Sequence, residues 1–164
     1  MEFLATTVPG LDKVAMAEIE EISKATATYE HKGMIRLDAP LQDALALHYT
    51  SKMLHKLFVK LDEGVFNTLA DLYDATYALP LEDYIRADQP FAYRVNRSGK
   101  HDFQSPDAER LCGEAVIERM RAKTGQRIPV QLDTPEVIVR TFIRVNHDWT
   151  GLEATGDSLH RRFY

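Results

Sequence analysis

The chain has a single cysteine, Cys112, which excludes an intrachain disulfide and a cysteine-rich zinc site and favours a reducing compartment. No apolar run approaches the length of a membrane span, and no basic stretch followed by an apolar segment reads as a secretory leader. A cytoplasmic protein with no membrane contact is expected. Its eight glycines stand at 10, 33, 64, 99, 113, 125, 151 and 156, so no pair begins a G-x-G nucleotide loop and no run matches a P-loop. The six histidines, at 31, 48, 55, 101, 147 and 160, lack the spacing of metal ligands. No G-x-S-x-G elbow marks a nucleophile, and scattered carboxylates do not identify an acid–base pair. No catalytic residue, cofactor or metal is therefore assigned within the 164 residues. Positive charge is also short, with 20 Lys or Arg against 25 Asp or Glu and a net charge of −5, the reverse of the usual nucleic-acid footprint.

What positive charge there is gathers locally. Residues 66–93 hold one Arg against five acids, whereas residues 94–127 hold eight Lys or Arg against five acids. A protein can repel a polyanion over most of its surface and still bind it through one basic face. The basic stretch opens with Phe91, Tyr93 and Val95 alternating with Ala92, Arg94 and Asn96, which predicts a strand with one buried face. Gly99 permits a tight turn carrying Arg97, Lys100 and His101, and Ser105-Pro106 predicts a helix start with Ser105 as N-cap. Cations beside a helix N-terminus suit phosphate. The structural alternative is a solvated loop at the end of an ordinary strand.

Element periodicity divides the chain near Gly64. Residues 2–8 read as a strand, and Leu11, Val14, Ala15, Ile19 and Ile22 recur at helical spacing. A hairpin around Lys32-Gly33, a short helix from Leu41 and a strand over 57–61 complete a βαββαβ order. That is the order of a ferredoxin-like half, with helices on one face of an antiparallel sheet. The expected fold class is α+β, a ferredoxin-like half over 1–65 followed by an α/β domain over 66–156. In the second part, helices are expected over 69–77 and 106–124, the latter stopped by Gly125, with strands over 136–145 and 149–155. Arg140 and Arg144 share a strand face with Phe142, a basic and aromatic arrangement suited to phosphates and an unstacked base, although Phe142 also reads as core. Cys112 and Trp149 read as packing, and Arg119, Arg121 and Lys123 as complements to the negative end of their helix.

The segment Arg94–Gly113, RVNRSGKHDFQSPDAERLCG, resembles the signature of the THUMP domain, an RNA-binding module of tRNA sulfurtransferases, RNA methyltransferases and some pseudouridine synthases. The opening Phe3–Asp12, FLATTVPGLD, is similar to the start of the THUMP-containing RNA guanine-N2 methyltransferases. The closing Thr155–Arg162, TGDSLHRR, resembles the passage by which that branch enters its methyltransferase domain, so 157–164 is expected to begin a linker. The resemblance implies a substrate-positioning module that grips structured RNA, a tRNA acceptor end or rRNA, through Arg94, Arg97, Lys100, His101, Arg110, Arg140 and Arg144. It also implies a C-terminal methyltransferase domain that takes S-adenosylmethionine. The Asn/Asp-Pro-Pro-aromatic element of that domain is absent here, because no two prolines are adjacent. A sulfurtransferase module, or a free-standing RNA- or protein-binding adaptor, is the alternative function.

Overall fold

The structure, a computed structural model, describes residues 1–23 and 25–154, so the expected linker and the closing passage from Thr155 lie outside the described residues. The described chain runs β1 (Glu2–Thr7), α1 (Asp12–Ser23), β2 (Thr26–His31), β3 (Met34–Asp38), α2 (Leu41–Thr50), β4 (Leu54–Val65), α3 (Leu69–Tyr77), a 3₁₀ turn (Leu81–Asp83), β5 (Phe91–Ser98), α4 (Ser105–Thr124), β6 (Val137–Arg144) and β7 (His147–Glu153). Two compact units divide it. One takes residues 1–60 and returns at Glu153, and the other takes Leu61–Leu152.

In the first unit the strand order is β2-β3-β1-β4, with each neighbouring pair antiparallel. This is the sheet that a βαββαβ sequence closes when its two hairpin-linked strands are placed beside β1. Alternation sends Phe3, Ala5, Ile35, Leu37 and Leu57 into a core completed by Ala15, Ile19, Ala44 and Leu47. One expectation is corrected. Leu11 and Val14 do not join the buried stripe of α1, and both remain exposed. Asp12 is buried in their place, because its carboxylate accepts from the Gly33 N–H at 2.7 Å and the Gly10 N–H at 3.1 Å and so fixes the roll of the helix. β4 is also longer than the expected 57–61.

The second unit arranges β4-β7-β6-β5, in which β5 and β6 run parallel and β6 and β7 antiparallel. Phe91, Tyr93, Val95, Val139 and Ile143 project from one sheet face into a core with α3 and α4, where Ala108, Cys112, Val116 and Met120 form the buried stripe of α4. Cys112 is packing, as its spacing predicts. A polar thread crosses this core from Thr76 to Tyr93 Oη, Thr141 and Thr150, the last two hydroxyls 2.9 Å apart. Burial is compatible with these hydroxyls because each has a partner. Gly125, at φ 73°, ends α4 in the left-handed conformation that glycine adopts at least cost.

Candidate nucleic-acid interface

The basic turn forms at the C-terminal ends of the parallel pair β5 and β6. Ser98 lies opposite Arg144 in the register, and the Val145 N–H donates to the Ser98 carbonyl at 2.9 Å. Gly99 has φ 104°, and a Cβ there would lie 3.2 Å from Val145 Cα, so both conformation and space demand glycine. Val145 itself has φ 59°, a strained value for a β-branched residue. It is held from both sides, since its carbonyl accepts from His101 Nε2.

Arg97 and His101 together build the turn. Arg97 Nη1 lies 3.2 Å from His101 Nδ1 and donates to the Gly99 carbonyl at 3.3 Å, while Nη2 donates to Gln104 Oε1 at 2.8 Å. A guanidinium has only donors, so His101 Nδ1 accepts and Nε2 carries the proton that reaches Val145. The imidazole stacks against the Phe66 ring, the two centroids 6.1 Å apart. Arg97 touches only neutral acceptors, which orient its charge without cancelling it. Lys100 is exposed on the turn, and Arg144 is exposed on the adjoining strand end.

The start of α4 differs from the expectation by one residue. Gln104, not Ser105, is the N-cap, and its N–H donates to Asp107 Oδ2 at 2.9 Å. Pro106 falls in the first turn, where its missing N–H costs nothing. The reason is the Asp107 carboxylate, a stronger acceptor than the Ser105 hydroxyl and set three residues after Gln104.

The remaining predicted cations lie farther back along the strands. Arg94 and Arg140 face each other across β5 and β6, but their guanidinium groups turn apart, Arg94 Nη2 to the Leu132 carbonyl at 2.5 Å and Arg140 Nη1 to Asn96 Oδ1 at 2.6 Å. Arg110 is exposed on α4. The seven residues therefore make two groups, one at the turn with Arg97, Lys100, His101 and Arg144, the other flanking β5 with Arg94, Arg110 and Arg140. Arg94, Arg97, Lys100, Arg110 and Arg144 have no carboxylate partner among the described residues. Arg86, Arg119 and Arg121 in this unit do, while Lys123 and Arg127 do not. Arg119 is paired with Glu82 in a two-pronged contact and raised further above its usual range by it, and Arg121 meets Glu118 at 2.8 Å. Arg119 therefore braces α4 through Glu82 and the Tyr77 carbonyl, and does more than complement the helix end. Phe142 is half-buried on the Arg140 strand face, opposite Trp149, which is buried and stacked 4.2 Å from His147.

Sequence reasoning missed a shallow groove beside β5, with walls from α4 and from the segment around Val130 and Leu132. Its one available signal was Gly113, an unexplained glycine in the middle of a twenty-residue helix. Among the described residues no group of His, Cys, Asp and Glu is arranged to hold a metal, and no helix is long and apolar enough to cross a membrane.

A family model for the THUMP domain matches residues 66–147, half of the chain. The chain belongs to the THUMP domain family. Over its whole length it is 33% identical to a tRNA (guanine(6)-N2)-methyltransferase of Methanocaldococcus jannaschii and covers 44% of that protein. It is 25% identical to a ribosomal RNA large subunit methyltransferase K/L of Magnetococcus marinus, with 99% of the chain aligned to 22% of the relative. The crystal structure of TrmN from Thermus thermophilus superposes with a TM-score of 0.79 at 28% identity, covering 99% of this chain and 48% of that one. The α+β fold is that of its THUMP-bearing region. The chain thus spans less than half the length of these relatives, and their catalytic portions have no counterpart in it.

Proposed function

We propose that this THUMP-bearing chain is the RNA-binding, substrate-positioning part of an S-adenosylmethionine-dependent RNA guanine-N2 methyltransferase. The observation that carries the reading is that five of its seven predicted cations stand without carboxylate partners in a chain of net charge −5. An acidic protein has ample carboxylate to neutralise its arginines, and in this unit Arg119 and Arg121 are so neutralised. Cations left uncompensated at one turn suit the phosphates of a polynucleotide. Support for guanine-N2 chemistry comes from relatives that carry it by name and align along this chain's whole length.

On this reading the turn at Arg97, Lys100, His101 and Arg144 holds the RNA backbone, and shape selects the molecule. Arg97 is oriented by Gln104 and Gly99, and Lys100 supplies a mobile point charge. A transfer RNA acceptor end is the favoured substrate, since the relative with higher identity acts on tRNA. Methyl transfer, with S-adenosylmethionine as donor, belongs to a C-terminal domain joined after these residues. None of the residues described here takes part in that step.

The chain is expected to bind structured RNA with an affinity that falls steeply as salt rises. Replacing Arg97 and Lys100 together by Ala should lower affinity about tenfold for all RNA sequences alike and flatten the salt slope by about one unit per lost phosphate contact. Electrophoretic shift titrations at several salt concentrations measure both. Binding indifferent to salt, or no more than that of an unrelated acidic protein, overturns the proposal.

A further inference from the structure

The solvent face of α1 is apolar along its middle and charged against its own dipole at both ends. Asp12 fixes the roll of the helix through the N–H groups of Gly10 and Gly33, and that roll buries Asp12, Ala15 and Ile19. The opposite side is left to water. Leu11 is 40% exposed, Val14 is 53% exposed and Ala17 is exposed as well. Positions three apart along a helix are neighbours, so these three residues form one strip.

The charges beside the strip supply a second, independent observation. A helix is positive at its N-terminal end, where carboxylates are stabilising, and negative at its C-terminal end, where cations are. Asp12 obeys that rule. Lys13 stands at the positive end, Glu20 and Glu21 stand in the last turn, and no basic residue lies in that turn. All three are exposed and form no ion pair among the described residues. Glu18, on the same helix, is instead taken up by the Ser51 hydroxyl and the N–H groups of Lys52 and Met53. The unmet charges of α1 are therefore at its two ends, with opposite signs and an apolar strip between them.

We propose that α1 is the contact of a two-fold dimer of this chain, in which two copies of the helix pack antiparallel across the strip of Leu11, Val14 and Ala17. A symmetry axis between Val14 and Ala17 lays each Val14 against the partner's Ala17, and the small alanine lets the helices approach closely. The same axis sets Lys13 of each copy beside Glu20 of the other. Glu20 and Glu21 then lie along the positive end of the facing helix, where Lys32, next to the Gly33 that holds Asp12, is also exposed. A parallel pair would oppose like charges, and a partner of one sign would satisfy one end only. A second α1 satisfies both. This surface lies in the first unit and does not depend on the RNA-binding reading. One helix pair is small for an interface, so the dimer is weak and sensitive to salt.

Sedimentation equilibrium of the full chain, from about 10 μM to about 1 mM at low and high salt, reads the association directly. The average mass should climb toward that of two chains at low salt and stay closer to one chain at high salt. Lys13→Glu and Glu20→Lys should each weaken the dimer about tenfold, because symmetry turns two attractions into two repulsions. Each also removes a charge that opposes the helix dipole, so neither should lower the melting temperature of the monomer. The double variant should regain wild-type association, since the exchanged charges meet again across the axis. Val14→Glu, at an exposed position, should abolish the dimer. A chain that stays monomeric throughout overturns the proposal and leaves the strip to some other partner. A dimer indifferent to Lys13→Glu, Glu20→Lys and Val14→Glu uses another face and also overturns it. A double variant no stronger than either single one overturns the antiparallel pairing.

Discussion

The two units spend their charged side chains differently. In the first, carboxylates fasten the backbone. Asp12 ties Gly10 to Gly33, and Glu18 accepts from the Ser51 hydroxyl and the N–H groups of Lys52 and Met53. Three of its six described lysines and arginines are matched, Arg36 with Glu30, Lys56 with Glu153 and Lys60 with Glu2. In the second, Arg94, Arg97, Lys100 and Arg144 at the basic turn and nearby strand positions form no ion pair among the described residues, while the buried carboxylate of Asp148 lies near Asp62 and Glu63. The first unit's remaining described lysines are dispersed along the sequence, at 13, 32 and 52. The second unit has kept its cations available and bears the strain of doing so, at Val145 and at Asp148.

The largest expected loss comes from breaking that presentation at its narrowest point. Gly99→Ala places a methyl 3.2 Å from Val145 Cα at a φ that alanine avoids, and should cost about 2–4 kcal/mol in urea unfolding, together with RNA affinity. The matching break in the first unit is Asp12→Ala. Two N–H groups lose a charged acceptor, which should cost about 2–3 kcal/mol without altering the basic turn. Burial pushes the Asp12 carboxyl up, but the N–H groups of Gly33, Gly10 and Asp12 itself outweigh it and hold the group below its ordinary value. Its contribution is therefore present above the unfolded carboxyl range and is lost as pH falls through the lower folded value. Equal losses of RNA affinity in both variants would erase the contrast between the units.

Asp148 should respond in the opposite sense. Burial first, then the charge of Asp62, pushes its carboxyl up to about 6, so the folded protein takes up a proton before the unfolded chain does. Whatever stability this gives is present below the unfolded value of 3.8 and is lost as pH rises to about 6. Asp148→Asn should then be more stable than wild type at pH 7, by about 1–2 kcal/mol, and the gap should close toward pH 4. Urea unfolding at the two pH values measures the difference. A gap that is the same at both would show that Asp148 is not carrying a buried charge.

These contrasts were unevenly legible in the sequence. Alternation over Phe91–Ser98 and Val137–Arg144 sufficed to assign the strands and their outward arginines, because a period of two leaves little freedom once one face is buried. Gly99 and Gly125 marked their turns, since positive φ is a local demand. The roles of Asp12 and Gln104 were hidden, because each is set by a distant or competing acceptor that spacing does not reveal. The split of seven cations into two groups was also hidden. It depends on Arg94 reaching Leu132, thirty-eight residues away, and on the return of the segment near Val130 to the strand edge. That same return makes the groove beside β5.

A milder pair of substitutions separates matched from unmatched cations within the second unit. Arg119→Ala breaks the contact with Glu82 and the Tyr77 carbonyl, and should lower the melting temperature by a few degrees while sparing RNA affinity. Arg110→Ala should do the reverse, with unchanged melting and weaker, less salt-dependent binding.

The smallest effect tests whether the turn stores strain. Val145 adopts φ 59° because its N–H is drawn to Ser98 and its carbonyl to His101, and a β-branched side chain gains nothing there in return. Val145→Gly removes the steric cost of that conformation but loosens the unfolded chain, so the two partly offset. A gain of about 0.5–1 kcal/mol in thermal unfolding is expected, with RNA affinity kept because both backbone bonds survive. A loss of stability would mean that the freer unfolded chain of the glycine variant outweighs the relief of strain, so that φ 59° costs Val145 little.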